Sequence, residues 1–202
     1  MPAATRSGPS PVDGPHRSFA ELQAGWEDIR RAPSDGGVVE MLVARPAQGE
    51  RHTPSEGRLT VEDGLIGDNW RARGSRRTED GAAHPDKQLT LINRRLLEHV
   101  AGARERWPLA GDQLVVDLDL GEDNLRPTDR LRIGEALVEV TAEPHTGCAK
   151  FVARYGRDAL RFVSTPEGRR HRLRGVYVRV VRPGIVLIGD RCHLQRRGGR
   201  PT

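Results

Sequence analysis

The chain has 202 residues, 36% hydrophobic and 30% charged, with a formal net charge of +5 and two cysteines. That length is room for one domain of about 100–200 residues, the composition excludes a disordered chain, and no apolar run approaches the ~18 residues of a membrane helix. Two cysteines exclude a disulfide scaffold and a four-thiolate zinc site.

The opening stretch MPAATRSGPSPVDGP holds no hydrophobic run, so no secretory signal is expected and the reading is cytoplasmic. Residues 1–17 are rich in Pro, Gly and Ser without periodicity and read as a disordered leader. Residues 18–36 read as a helix and linker. In SFAELQAGWEDIRR (18–31), Ser18 sits as a cap with Glu21 three positions on, the capping-box pattern, and Pro33, Gly36 and Gly37 end the helix.

From Val38 the rhythm changes to short runs rich in Val, Ile, Leu and Thr: VVEMLVAR, RLTVE, QLTLI, QLVVD, RLRI, ALVEVTA, VYVRVV and IVLI. Gly134-Glu135 and Pro183-Gly184 lie between such runs and read as hairpin turns. Seven or eight short strands argue for a single mainly β domain with a few helices, a barrel or sandwich over residues 37–194. Residues 67–87 are charged and irregular and read as a loop, and 195–202 as a flexible basic tail.

Two helices interrupt the strands. Residues 93–101 have Asn93 as a cap and an apolar stripe of Leu96, Leu97 and Val100. In 147–163, Phe151, Tyr155, Ala159 and Phe162 share one face, and Arg154, Arg157 and Arg161 the opposite one. Thr165-Pro166 stops this helix and starts a short one.

The sharpest chemical feature is PHTGCAKF (144–151), which joins a strand to the arginine-faced helix. With Thr146 as cap, Cys148 falls in the first helical turn, where unpaired N–H groups and the helix dipole favour a thiolate, the form that attacks electrophiles and binds metals. Lys150 adds positive charge, and His145 is placed to donate to the sulfur or accept its proton. The alternative is a buried cysteine packed as a small hydrophobe. Cys192 follows the last predicted strand and reads as structural.

Residues 151–202 carry 13 arginines against Asp158, Glu167 and Asp190, which points to an anionic partner at this end. Nucleic acid would call for aromatics interleaved with the basic residues. Aromatics are 4% of the chain, and those of this helix fall on its apolar side, which weighs against it. A thiolate beside phosphate-binding arginines suits a sulfur-ligated, phosphorylated cofactor. GLIGD (64–68) is a tight glycine turn bearing the carboxylate Asp68, and a simple hairpin also accounts for it. The acids of GDQLVVDLDL alternate and are expected to face solvent.

Together GLIGD (64–68), QLTLIN (88–93), GDQLVVDLDL (111–120), LRIGEALVEV (131–140), PHTGCAKF (144–151) and RPGIVLIGD (182–190) resemble the MOSC family, the domain first described at the C-terminus of molybdenum cofactor sulfurases. The nearest likeness is to stand-alone bacterial members with an HTGCAKF segment. Many members read Pro-Arg before a Pro-Cys pair, where this chain has Pro144-His145 and Gly147-Cys148. The resemblance implies a MOSC-like β-barrel and one functional cysteine, mapping onto Cys148, which carries sulfur or ligates molybdenum in the pterin cofactor (molybdopterin). His145 is its candidate catalytic companion. Thr146, Lys150, Arg154, Arg157 and Asp68 are the candidate cofactor contacts, and the implied partners are molybdopterin or a sulfur donor or acceptor protein. The implied activity is that of a molybdenum-dependent oxidoreductase or a sulfurtransferase-like protein. Nothing in the chain resembles the Schiff-base lysine site of a pyridoxal-phosphate domain. Two other readings stay open: a basic β-barrel module gripping an anion such as nucleic acid with Cys148 incidental, and a thiol enzyme using Cys148 with His145.

Overall fold

The computed structural model describes residues 14–195; residues 1–13 of the expected leader and 196–202 of the expected tail lie outside the described residues. The Ser18–Glu21 capping box forms as expected, but the predicted helix is two, α1 (Phe19–Ala24) and α2 (Trp26–Arg30), parted at Gly25. A side chain at Gly25 would run into the His99 ring, so only glycine lets the chain pass there.

The strands follow as β1 (Gly37–Leu42), β2 (Glu56–Thr60), β3 (Gly64–Leu65), β4 (Leu89–Asn93), β5 (Leu114–Asp117), β6 (Arg130–Ile133), β7 (Ala136–Val140), β8 (Val176–Arg182), β9 (Gly184–Leu187) and β10 (Arg191–Gln195). Seven of them close a barrel in the order β1-β10-β6-β7-β8-β4-β5, and β3-β2-β9 form a small separate sheet. The helices between them are α3 (Trp70–Arg73), α4 (Arg94–Ala101), α5 (Ala149–Tyr155), α6 (Arg157–Ser164) and α7 (Pro166–Arg170). Asn93 caps α4 as expected, accepting from the N–H of Arg95 at 2.7 Å. The region 67–87 is not all loop: it contains α3 and a 3-10 turn over Pro85–Lys87.

The barrel separates two cores by strand alternation. Val39, Leu42, Leu89, Leu91, Leu114 and Val116 point inside, where Leu59, Leu65 and Val186 of the small sheet join them. Met41, Val43, Ile92 and Val115 point outward, under Leu22 of α1, the Leu96–Leu97–Val100 stripe of α4, and Phe151, Tyr155 and Phe162. Strand β4 has both faces covered, so all five of its residues are buried.

Three expectations are corrected. Gly134-Glu135 does turn the β6–β7 hairpin, with Ile133 opposite Ala136, but Pro183-Gly184 makes no hairpin. Strand β8 pairs with β7 and β4, and β9 pairs with β2, so the chain steps from barrel to small sheet at this point. Proline cannot extend the ladder, and Gly184 lies so close to Glu135 and Ala136 that no side chain fits. Second, the helix expected over 147–163 breaks at Gly156, whose φ of +92 is left-handed, giving α5 and α6. Third, Cys192 does not follow the last strand: it sits inside β10, fully buried, where β10 bridges β1 and β6 to close the barrel. Burial pushes its thiol up to about 12, and the nearby Asp190 and Asp35 push the same way.

Candidate functional site

After β7 the segment 141–148 crosses the barrel end and enters α5. Cys148 is itself the N-cap, with φ −133 and ψ 172, so Thr146 is not the cap and the cysteine stands one position before the first turn. Its carbonyl accepts from the N–H groups of Phe151 (2.9 Å) and Val152 (3.1 Å). Its side chain makes no capping bond, and the residue is exposed. The thiol is therefore presented, not packed away.

Cys148 opens onto a cleft of about 700 Å³. Arg45 and Arg51 enter it from the chain after β1, and Arg73 from α3. Thr90 and Gln113 line it from the barrel end, and Lys150 and Arg154 from α5. Arg174, His145 and Tyr177 also line it, and among the described residues no carboxylate does. Among the described residues Arg51, Arg73, Lys150 and Arg154 have no acidic partner. Arg51 and Arg154 donate to the carbonyls of Pro108 and Leu109, and their guanidinium groups flank Gly111. Partial burial lowers the pKa of Arg51, and Arg154 and Arg45 beside it lower it further. Arg73 is lowered in the same way by burial and by Arg45. Positive charges that depress one another form a field that an anion relieves.

Two cations of the cleft are built into the frame. The Asp68 carboxylate is fully buried and takes Arg45 in a fork, Nε at 2.7 Å and Nη2 at 2.9 Å, and also accepts from the backbone N–H groups of Arg45 and Trp70. Asp68 thus stands behind the cleft and fixes Arg45 instead of lining the space. Arg174 is 8% exposed and donates to both oxygens of Asp112, at 3.0 and 2.8 Å, and to the carbonyl of Ala110. Asp112 was expected to face solvent and is instead 1% exposed, because it precedes β5 and escapes that strand's alternation. Burial holds its carboxyl above the usual range even against the pull of Arg174.

His145 packs on Tyr177 with ring centroids 4.5 Å apart, and its Nδ1 lies 3.6 Å from Asp112 Oδ1 without a hydrogen bond. Burial, Arg174, Arg45 and Lys87 hold its pKa well below 6.5, so the ring is neutral at pH 7. No hydrogen bond joins His145 to Cys148 among the described residues, so the expected thiol–imidazole contact is not formed, although both line the cleft.

Of the remaining sequence candidates, Lys150 and Arg154 reach the cleft, Thr146 lines a second cavity, and Arg157 points outward on α6. Arg161 lies over the Phe19 ring at 4.3 Å. The break at Gly156 divides the expected arginine face, leaving Arg154 alone at the site. Sequence reasoning missed Arg45, Arg51, Arg73 and Tyr177, which come from separate segments and carry no shared motif.

A family model described as the MOSC domain matches residues 78–193. Among solved structures, the YUAD protein from Bacillus subtilis is similar with a TM-score of 0.60 and 15% identity, covering 78% of this chain and 94% of that one. A protein described as hypothetical aligns with a TM-score of 0.55 and 23% identity, covering 81% and 70%. YiiM from Escherichia coli aligns with a TM-score of 0.52 and 22% identity, covering 83% and 72%. These likenesses show a shared fold. No curated protein matches the chain. No helix among the described residues is long and apolar enough to cross a membrane.

Proposed function

The chain belongs to the MOSC domain family, and we propose that it binds the molybdenum-bearing pterin cofactor in the basic cleft, with the Cys148 sulfur as the protein's ligand to the metal. The observation that carries this is an exposed thiol opening onto an arginine-lined cleft with no acid in its wall among the described residues. A thiolate suits a soft, sulfur-rich metal centre. Among the described residues no three His, Cys, Asp or Glu side chains gather to hold a metal, which fits a metal brought by its own pterin and met by one protein sulfur.

Arg51 and Arg154, with Arg73 and Lys150, would hold the cofactor's phosphate, the arginines as two-pronged donors. Asp68 and Asp112 keep Arg45 and Arg174 in place and neutralise them, leaving the unpaired cations for the ligand. His145, neutral and at the wall, donates or accepts a hydrogen bond without adding charge. When bound, the cofactor supplies redox chemistry at its metal.

The exposure of Cys148 also supports sulfur carriage, since a donor or acceptor protein reaches the thiol without opening the fold. Nucleic-acid binding is less well supported: Phe151, Tyr155 and Phe162 are buried and offer no stacking surface.

The test is purification from a host that makes the cofactor, followed by metal and pterin analysis. Wild type is expected to carry both, and Cys148→Ser to lose molybdenum. Equal molybdenum in the two proteins overturns ligation by Cys148. With neither metal nor pterin in wild type the cofactor reading fails, and a persulfide on Cys148 then tests carriage.

A further inference from the structure

Among the described residues, four large apolar side chains stand in water: Val61, Ile66, Leu187 and Ile188, each 44–48% exposed. All four belong to the small sheet. Leu187 ends β9, Ile188 follows it, and Val61 and Ile66 follow β2 and β3. Single exposed apolar residues scattered over a surface need no explanation, but a cluster on one element marks a contact surface. Strand alternation sets which residues share this face. Gly57, Leu59 and Val186 turn toward the barrel and are buried, so Glu56 and Arg58 of β2, and Ile185 and Leu187 of β9, turn outward.

The register orders them in two rows. The Ile66 N–H donates to the Arg58 carbonyl at 2.9 Å, and Arg58 lies opposite Ile185, so Ile66, Arg58 and Ile185 form one row across the face. Glu56 lies opposite Leu187 and forms the next. Among the described residues neither Glu56 nor Arg58 has a partner of opposite charge, whereas Asp63, in the turn after β2, is taken by Arg71 at 3.0 Å.

We propose that this face is the interface of a two-fold dimer of the chain, with Arg58 over Glu56 of the second copy and Ile185 over its Leu187. A two-fold axis lying in the interface, at right angles to β2 and crossing it at Gly57, exchanges the two rows. The Arg58–Ile185 row then meets the Glu56–Leu187 row of the second copy, and symmetry makes each contact twice. The face is thus complementary to itself in charge and in apolar surface, whereas an acidic or a wholly apolar partner would leave one of the two charges unmatched. An interface this small suits a weak, concentration-dependent dimer. The contact does not depend on what the cleft holds.

The test is sedimentation equilibrium of the full chain from ~10 to ~500 μM, the range in which a weak dimer forms. Wild type is expected to dimerise. Arg58→Glu and Glu56→Arg, each at an exposed position and expected to unfold thermally as wild type does, should each weaken dimerisation at least about tenfold by setting like charges face to face. An equimolar mixture of the two variants should regain it as a heterodimer, and the double variant Glu56→Arg/Arg58→Glu should regain it alone. A monomer up to ~500 μM, which would leave the face to a different protein, overturns the proposal. So does a dimer that neither reversal weakens, or a mixture that regains nothing.

Discussion

Replacing Asp112 by alanine tests whether the buried pair under the cleft is framework. The substitution removes two hydrogen bonds, at 3.0 and 2.8 Å, and leaves the Arg174 guanidinium only the Ala110 carbonyl and the face of the Phe151 ring, 5.1 Å away. Asp112 is 1% and Arg174 8% exposed, so the pair is a buried one. Breaking a buried pair from one side costs ~3–5 kcal/mol, against ~0–1 for an exposed one. With a urea slope of ~2 kcal/mol/M for a chain of this size, the midpoint falls by ~2 M. Since burial already works against the Asp112 carboxyl, removing both charges should be milder than removing one. The double variant Asp112→Ala/Arg174→Met is therefore expected to regain most of the loss. Urea unfolding followed by tryptophan fluorescence, with Trp107 in the outer core, reads both variants. A midpoint drop below ~0.5 M for Asp112→Ala, the scale of a surface pair, refutes the reasoning.

His145 is held well below its ordinary 6.5, so below that pH the unfolded chain takes up a proton the folded one refuses. Stability then falls as pH drops from 6.5, by at most ~1.4 kcal/mol per unit, until the folded value is reached. His145→Gln should lack this slope, and identical pH profiles for the two proteins would count against a neutral buried imidazole. Glu139 is 6% exposed and accepts from Arg130 (3.0 Å) and Arg179 (2.7 Å). Burial pushes its carboxyl up, but the two guanidinium groups more than offset this and lower it from 4.5. Its contribution is present above 4.5 and lost as pH falls through the folded value. Glu139→Gln should cost ~1.5–3 kcal/mol near neutrality, with the gap to wild type closing in acid; a gap that persists at low pH contradicts the ion pairs. Native protein should show one fast thiol toward a disulfide reagent, assigned to Cys148 by its absence in Cys148→Ser, with Cys192 reacting only on unfolding. Two fast thiols would mean that β10 does not close the barrel.

Much of the fold was legible because alternation and turn chemistry are local. Eight apolar runs became strands, and the Ser18, Asn93 and Thr165 caps sit where the side-chain spacing put them. Errors arose where tertiary contacts outweighed local pattern. RCHLQ carries too little apolar content to announce a strand, yet β10 is held by neighbours on both sides. The helix periodicity across 147–163 is real, since Phe151, Tyr155, Ala159 and Phe162 are all buried, but it does not reveal that Gly156 turns the chain between two helices. Pro183-Gly184 has the composition of a hairpin, and only the pairing of β9 with β2 shows that the chain leaves the sheet there.

Of the cleft's lining, the sequence pointed to Cys148, His145, Lys150 and Arg154. The basic excess of residues 151–202 reaches the cleft, among the described residues, through Arg154 and Arg174, while Arg157, Arg161 and Arg170 are exposed away from it. Arg45, Arg51, Arg73, Lys87 and Lys150 come from the first 150 residues, where 20 lysines and arginines stand against 25 acids. That balance conceals them because the acids that offset the total do not offset the cleft. Asp68 and Asp112 are turned inward and consumed by Arg45 and Arg174, and Glu143 by Lys87. Net charge counts each acid once wherever it points, whereas the potential in a cleft depends on which acids face it. Here none of the described acids does, so a chain segment that is acidic by count builds most of a cationic site.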